Sequence, residues 1–377
     1  MQVQQLGVDM AEGVDVVGLL NGESGIGEAG RLVIRALRAV NYPVSALKVT
    51  TPAHRDAYPF DTEDEWKNDK CIISINSPEL PMYLRQLRWD QHGHKYTIGQ
   101  WFWELEKVPP FFQIGYSYVN EVWAPSKFIT DAFSKVAPPN VKVQQMPIPL
   151  LPPPVKEGIT KTNLGISEDR FVFLFTFSFH STMGRKNPMG TIKAFKEAFA
   201  ENEGPVLIIK SINAESYPSY HNAMVYSAEN RSDIMFINNH VDHDVNGALL
   251  NLADCYVSLH RSEGLGLTIS ESMSLGKPVI TTAYGGNMDF CNDSNSILIP
   301  WKPTEVGSGV EPYPATYVWA EPDVYAAAEA MRHVHLHQNE AKKMGENAKK
   351  MIKDNYSLEV TGKKMVDYLK SLDVAPN

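Results

Sequence analysis

Two periodicities alternate along the chain. Short runs dense in apolar residues have the length of strands: "VDVVGLL" from Val14, "PVSALKV" from Pro43, "CIISIN" from Cys71, "KYTIGQWFW" from Lys95, "EVWA" from Glu121 and "VKVQQMP" from Val141. Between most of them apolar residues recur every three or four positions, as in "EAGRLVIRALRAV" and "PSKFITDAFSKV", which predicts helices. Apolar strands separated by helices predict a parallel sheet covered on both faces. "PIPLLPPPVKEG" follows, with five prolines in twelve residues. Proline this dense continues neither a helix nor a central strand, so it predicts an extended linker and a domain boundary. The second half repeats the design. Strands "FVFLFTF", "PVLIIK", "DIMFIN", "CYVSLH", "PVITTA" and "SILIPW" alternate with helices "NPMGTIKAFKEAFA", "VNGALLNLAD" and "LTISESMSLG", and helical patterns fill Asp323 to Leu372. The expected fold is α/β, with two Rossmann-like doubly wound domains, 1–150 and 151–356. In such domains ligands bind beyond the carboxyl ends of the strands, which predicts sites on a cleft between the two.

Composition narrows the picture by exclusion. The 377 residues suffice for two cores, and 43% hydrophobic with 21% charged residues is ordinary for a globular protein. A net charge of −9 lacks the basic surplus of a nucleic-acid binder. No apolar run is long enough to span a bilayer, and no secretory signal pattern opens the chain. The three cysteines, Cys71, Cys255 and Cys291, are far apart and odd in number. They read as reduced core thiols of a cytoplasmic protein, and no metal site is expected from them.

Two glycine loops carry the candidate chemistry. In "VGLLNGESGIGEAGRLVIRAL", Gly25, Gly27 and Gly30 fit G-x-G-x-x-G between a strand and a helix, the setting of a dinucleotide fingerprint. That fingerprint needs an acidic residue at the end of the second strand to bind ribose. Here the strand ends in Lys48 and Thr50, and the next acid is Asp56. A basic residue suits a 2′-phosphate, so an NAD(P)-dependent oxidoreductase stays open. A tight turn packed on its neighbour satisfies the same spacing, as does a loop facing some other phosphate.

The second loop, "CYVSLHRSEGLGLTISESMSLGKPVITTAYGGNMDF", is more specific. A strand ends at His260, Glu263 follows, and "GLGLT" opens a helix carrying Glu271. If that helix begins near Leu267, its first amides and those of Leu265 and Gly266 face one anion. Glu271 then lies about 6 Å along the axis, beside a bound diphosphate, where it can accept from ribose hydroxyls. Glu263 sits on the other side of the same anion, where the group beyond the β-phosphate would lie. Amides for phosphates with a carboxylate on each side fit a nucleotide diphosphate sugar. Helix capping by Glu263 and solvation of Glu271 is the plain alternative.

This chain resembles retaining glycosyltransferase family 4, of GT-B fold. The resemblance covers essentially the whole sequence. It rests on "LADCYVSLHRSEGLGLTISESMSLGKPVITTAYGGNMDF", then on "FHSTMGRKNPMGTIKAFKEAF", "GESGIGEAGR", and "WFWELEKVPPFF" followed by "EVWAPSKF", a form common in bacterial polysaccharide and glycoconjugate transferases. It implies that Glu263 contacts the transferred sugar and that Glu271 binds ribose. It further implies that Leu265, Gly266, Leu267 and Thr268 hold diphosphate or sugar through their amides. The family's lysine maps onto Lys186. Its arginine position is His180 here, and Arg185 is the substitute beside Lys186. Gly25 and Gly27 would close over the diphosphate from the N-terminal domain. Where many members carry a histidine after the "WFW" strand, this chain has Glu104, which with Glu263 is a candidate catalytic carboxylate. The implied function is metal-independent retaining transfer, with no cofactor, from a nucleotide sugar to a glycan, glycolipid or small-molecule acceptor. The first domain would take the acceptor, the second the donor, and a last helix near 357–372 would cross back onto the first. A catalytically silent sugar-nucleotide binder and a GT-B epimerase or phosphorylase are the rival readings within this fold.

The remaining signals have plainer readings. "DHD" (Asp242, His243, Asp244) mimics a metal-binding pair but precedes a helix start. In "HVHLH", only His333 and His337 share a helical face, without a third ligand. Trp101, Phe102 and Trp103 alternate along a strand, as core or as stacking partners for a sugar. Arg31, Arg35 and Arg38 read as a solvated face, which in membrane-associated relatives meets anionic lipid at the inner membrane.

Overall fold

The computed structural model describes residues 13–51 and 55–372 and divides into two compact units. The first comprises the chain to Phe102, Val108–Pro149 and the segment from Ser357. Its sheet contains β1 (Val14–Gly18), β2 (Val44–Lys48), β3 (Lys70–Ser74), β4 (Tyr96–Gln100), β5 (Glu121–Ala124) and β6 (Lys142–Gln145), all parallel, in the order β2-β1-β3-β4-β5-β6. Its helices include α1 (Gly25–Ala39), α2 (Leu80–Gln86), α3 (Trp89–His92) and α4 (Lys127–Ser134). Helix α1 starts where the backbone of Ser24 is extended and its hydroxyl accepts from the amide of Gly27 at 3.2 Å. Ala29, Leu32, Val33, Ala36 and Leu37 form its buried stripe.

Two expectations fail in this unit. Arg31 is not part of a solvated face. It is buried, donates to the carbonyls of Leu20 and Gly22 at 3.0 Å each, pairs with Glu28 at 2.8 Å and lies over the ring of Tyr58. Arg35 donates to the Tyr58 hydroxyl at 2.6 Å, so only Arg38 of the three is exposed. Arg31 therefore braces the glycine loop, because free carbonyls of a tight turn need donors. The strand expected through "WFW" also stops early, at Gln100. Trp101 is core, packed edge-on against Tyr116 and Phe133, and Trp103 belongs to the second unit.

The second unit comprises Trp103–Lys107 and Leu150–Tyr356. No helix or strand interrupts the proline linker. Its sheet contains β7 (Val172–Ser178), β8 (Val206–Ile212), β9 (Ile234–Asn238), β10 (Cys255–Ser258), β11 (Val279–Thr282) and β12 (Ile297–Ile299), parallel, in the order β12-β11-β10-β7-β8-β9. Helices α5 (Met183–Lys186), α6 (Pro188–Ala198), α7 (Pro218–Ser227), α8 (His243–Leu252), α9 (Leu267–Ser274), α10 (Val324–Leu336) and α11 (Gln338–Tyr356) accompany it. The chain runs outward from β7 to β9, then restarts beside β7 with β10. The gap between the carboxyl ends of β7 and β10 is thus the topological switch point, where open α/β sheets bind ligands. Phe173, Phe175, Phe195 and Phe199 are fully buried in the core of this unit.

An antiparallel hairpin of β13 (Trp301–Glu305) and β14 (Val318–Pro322) lies outside the alternating strand–helix pattern. The last helix, α12 (Leu358–Ser371), packs on α1 within the first unit. A Cβ at Gly362 would lie 2.2 Å from the carbonyl oxygen of Ala36, so the two helices touch backbone to backbone. The Tyr368 hydroxyl of α12 donates to the buried Glu121 carboxylate at 2.7 Å. Cys71, Cys255 and Cys291 are buried free thiols.

Candidate functional site

The switch point of the second unit gathers most of the expected side chains. After β7 the chain makes a short turn into α5, which presents Arg185 and Lys186. The turn is sharp: Thr182, a β-branched residue, has φ of +68°. Such residues rarely adopt a left-handed backbone, and strain of this kind concentrates at functional sites. Asn187, with φ of +57°, closes α5 and caps α6 by accepting from the Gly190 amide at 3.1 Å. Its side-chain amide donates to the Leu259 carbonyl at 2.8 Å, which ties the cation turn to the loop after β10.

That loop carries Glu263, which is buried. Its Oε1 atom pairs with Lys186 Nζ, and Arg185 Nη1 lies 3.2 Å from the same oxygen while donating to the Ser262 carbonyl at 2.9 Å. Burial alone would raise the Glu263 pKa, but Lys186 and Arg185 outweigh it and hold the carboxyl down at about 2. Burial lowers the Lys186 pKa, with Arg185 adding to the shift and Glu263 opposing it.

Gly266, with φ of +92°, turns the chain into α9, which starts at Leu267 as the spacing predicts. Lys186, Glu263, Gly266, Leu267 and Thr268 line one pocket together with Thr176 and Tyr256. Leu265 is buried next to it, and Glu271 sits one helical turn into α9 without lining it. His180 does not join the cations. It lies exposed after β7 with its ring 5.9 Å from that of Tyr217, so the second cation beside Lys186 is Arg185.

Several residues of this site carried no periodic signal. His260 is fully buried, and its Nε2 donates to the Tyr284 carbonyl at 2.9 Å while Nδ1 faces Ser258 Oγ at 3.0 Å. A carbonyl only accepts, so Nε2 carries a proton, and burial lowers the ring's pKa, which favours the neutral form. Gly285, with φ of +104°, lets the loop after β11 approach closely. A Cβ there would sit 2.5 Å from the Glu263 carbonyl oxygen, which instead accepts from the Gly286 amide at 2.8 Å. Arg261 donates to the Gly184 carbonyl at 2.6 Å and forms a two-pronged pair with Glu321 of β14, at 2.5 and 3.1 Å. Glu104 is held in this unit too, accepting from the Tyr313 hydroxyl at 2.9 Å.

The glycine loop of the first unit separates its two named glycines. A Cβ at Gly27 would lie 2.6 Å from the Leu19 carbonyl oxygen and 2.7 Å from that of Gly22, whereas one at Gly25 meets nothing within 4 Å. Packing thus accounts for Gly27, while Gly25 is open at the first position of α1. Gly27→Ala should lower thermal stability by several degrees. Gly25→Ala should leave it within about 0.5 kcal/mol, the range of surface changes, so any loss of nucleotide affinity in that variant, read by calorimetry, reports a ligand contact.

The acidic pair and the histidine run have local explanations. Asp242 is the N-cap residue of α8 and Asp244 lies in its first turn. His333 and His337 stack at 4.3 Å, and His333 faces Glu340 at 3.4 Å. Among the described residues, no group of three or more histidine, cysteine or acidic side chains could hold a metal ion. No helix among them is long and apolar enough to cross a membrane.

Solved structures show the same fold at low identity. A sucrose-phosphate synthase from Thermosynechococcus elongatus is 14% identical, over 97% of this chain and 100% of that one, with a TM-score of 0.69. A glycosyltransferase from Rickettsia africae ESF-5 is 14% identical over 97% and 100%, with a TM-score of 0.66. Anabaena HepE in complex with UDP-glucose is 12% identical over 95% and 99%, with a TM-score of 0.66. These likenesses make the fold GT-B. No curated protein sequence gives a significant match. The sequence profile of glycosyl transferases group 1 matches residues 159–351, half of the chain and all of the site around Lys186, Glu263 and α9. The chain therefore belongs to the group 1 glycosyl transferases.

Proposed function

We propose that this protein is a retaining glycosyltransferase that moves a sugar from a nucleotide diphosphate to a glycan, glycolipid or small-molecule acceptor without a metal. One observation carries the reading. At a single switch point, the half-buried Lys186, the buried Glu263 carboxylate and the N-terminus of α9 line one pocket, and the buried Arg185 lies on the same carboxylate. Cleavage of an anomeric bond to a diphosphate leaves growing negative charge on the phosphate and positive character on the sugar. Fixed charges and amides aimed at that phosphate are the largest catalytic contribution available. Lys186, Arg185 and the first amides of α9 supply them. Glu263 faces the developing positive charge, and Glu271, one turn along α9, suits ribose hydroxyls. In front-face retention the leaving phosphate oxygen takes the acceptor's proton as the new bond forms.

Two fold neighbours guide the choice of donor. HepE was solved with UDP-glucose, and a pneumococcal O-GlcNAc transferase with UDP and GlcNAc, so UDP-sugars are the first to try. A thermal-shift panel of UDP, GDP, dTDP and NADP separates this reading from the nicotinamide one. One nucleoside diphosphate should raise Tm, and NADP should not. Stabilisation by NADP alone would overturn the proposal.

A further inference from the structure

The β13–β14 hairpin packs against the turn that carries the two cations. Trp319 and Val310 crowd Gly184, where an added Cβ would lie 3.3 and 3.5 Å from their side chains. The hydroxyl of Thr182 donates to the Glu311 carbonyl at 3.3 Å, and Glu321 pairs with Arg261, whose guanidinium also lies over the Trp319 ring. The loop joining the two strands then reaches further. Its Tyr313 ring lies 5.2 Å from that of Trp103, and its hydroxyl donates to Glu104 Oε2. Three more contacts seat the five-residue segment around Glu104. Ser262 Oγ donates to the Glu104 carbonyl, the Tyr284 hydroxyl bonds Glu106, and the Lys107 ammonium lies 4.7 Å above the Tyr317 ring. Arg185 donates to the carbonyl of Ser262, whose hydroxyl holds the Glu104 carbonyl, so the Glu104 segment adjoins the cations, and its negative charge favours their protonated forms.

We propose that Tyr313 is a positioning residue. Through one hydrogen bond it fixes the Glu104 carboxylate beside the Arg185–Lys186–Glu263 cluster, and the hairpin is thereby part of the reaction site. This role for Tyr313 rests on that cluster being a diphosphate site. A buried phenol must place its hydroxyl on an acceptor, and the acceptor here is a carboxylate that would otherwise be free to swing on the rotatable bonds of its side chain. A fixed carboxylate beside two cations sets how much of their charge a diphosphate meets, and a misplaced one costs rate because catalysis depends on position.

The test is a double-mutant cycle of Tyr313→Phe and Glu104→Gln, read in two ways. Phenylalanine keeps the ring against Trp103 and removes only the hydroxyl, so Tm should fall by no more than a few degrees. Titration with inorganic pyrophosphate needs no knowledge of the donor sugar. Glu104→Gln should tighten pyrophosphate about threefold or more, since it removes a negative charge facing the site. Tyr313→Phe should change the affinity and lower kcat about tenfold in the wild-type background, with donor KM nearly unchanged. In the Glu104→Gln background it should do neither. Equal effects of Tyr313→Phe in both backgrounds, or none in either, would overturn the assignment. Failure of the wild-type protein to bind pyrophosphate at all would instead overturn the diphosphate reading on which it stands.

Discussion

Lys186→Ala is expected to lower kcat/KM for sugar transfer by about 10²–10³-fold, the cost of losing one fixed group that stabilises charge in the transition state. Lys186 is the cation whose ammonium contacts Glu263 inside the pocket and lines it together with the first residues of α9. Negative charge on the diphosphate is greater in the transition state than in the bound donor. The loss should therefore fall mainly on kcat, with a smaller change in KM. Folding should survive, because Glu263 keeps Arg185 at 3.2 Å. Lys186→Arg keeps the charge but moves it, so it should recover binding of the nucleoside diphosphate more than rate. A Lys186→Ala enzyme within about threefold of wild type, which lies inside the context scatter of such effects, would remove this residue from the mechanism.

Glu263→Gln should lose transfer to a similar degree and, unlike Lys186→Ala, should also lose stability. Arg185 is buried, Lys186 is half-buried, and both share this buried carboxylate; breaking a buried pair by removing one partner costs about 3–5 kcal/mol. For a unit of this size that lowers Tm by roughly 10 °C. A nucleoside diphosphate returns negative charge to the same cations, so it should stabilise the variant more than the wild type. The dependence on pH follows from the depressed pKa of Glu263. A carboxyl held at about 2, against an ordinary 4.5, contributes stability that is fully present above about pH 4.5 and is lost as pH falls towards 2. The gap in urea midpoint between wild type and variant should be widest above that pH and close in acid. A gap that opens in acid, or a variant as stable as wild type, would show that Glu263 does not hold the cations.

Much of this site was legible because its logic is local. The start of α9 at Leu267 and the start of α1 by the Ser24 cap follow from glycine and polar residues next to an amphipathic run. Lys186 and Glu263 stand at strand ends that the apolar runs mark. The parts that could not be read are held by contacts remote in sequence. Arg31, Arg35 and Arg38 have the spacing of a solvated face, yet Arg31 turns inward to carbonyls that only the folded loop exposes. The strands "WKPTE" and "VWAEP" carry prolines and charges, which mask a hairpin whose pairing spans a long loop. Nothing in "WFWELEK" signals that Glu104 will meet Tyr313, 209 positions away. Gly27 has a second reason that the motif alone does not show: a Cβ there would meet the carbonyl oxygens of Leu19 and Gly22.

The central claim is that the cluster of Lys186, Arg185 and Glu263 cleaves a nucleotide sugar with retention. Proton NMR of the protein with a panel of nucleotide sugars and simple glycosides, in the presence of EDTA, tests it most directly. The account predicts that one donor is consumed, that its nucleoside diphosphate is released, and that the anomeric configuration of the product matches that of the donor, with no consumption by Lys186→Ala or Glu263→Gln at equal enzyme. An inverted product, a strict need for a divalent ion, or consumption undiminished in both variants would contradict it.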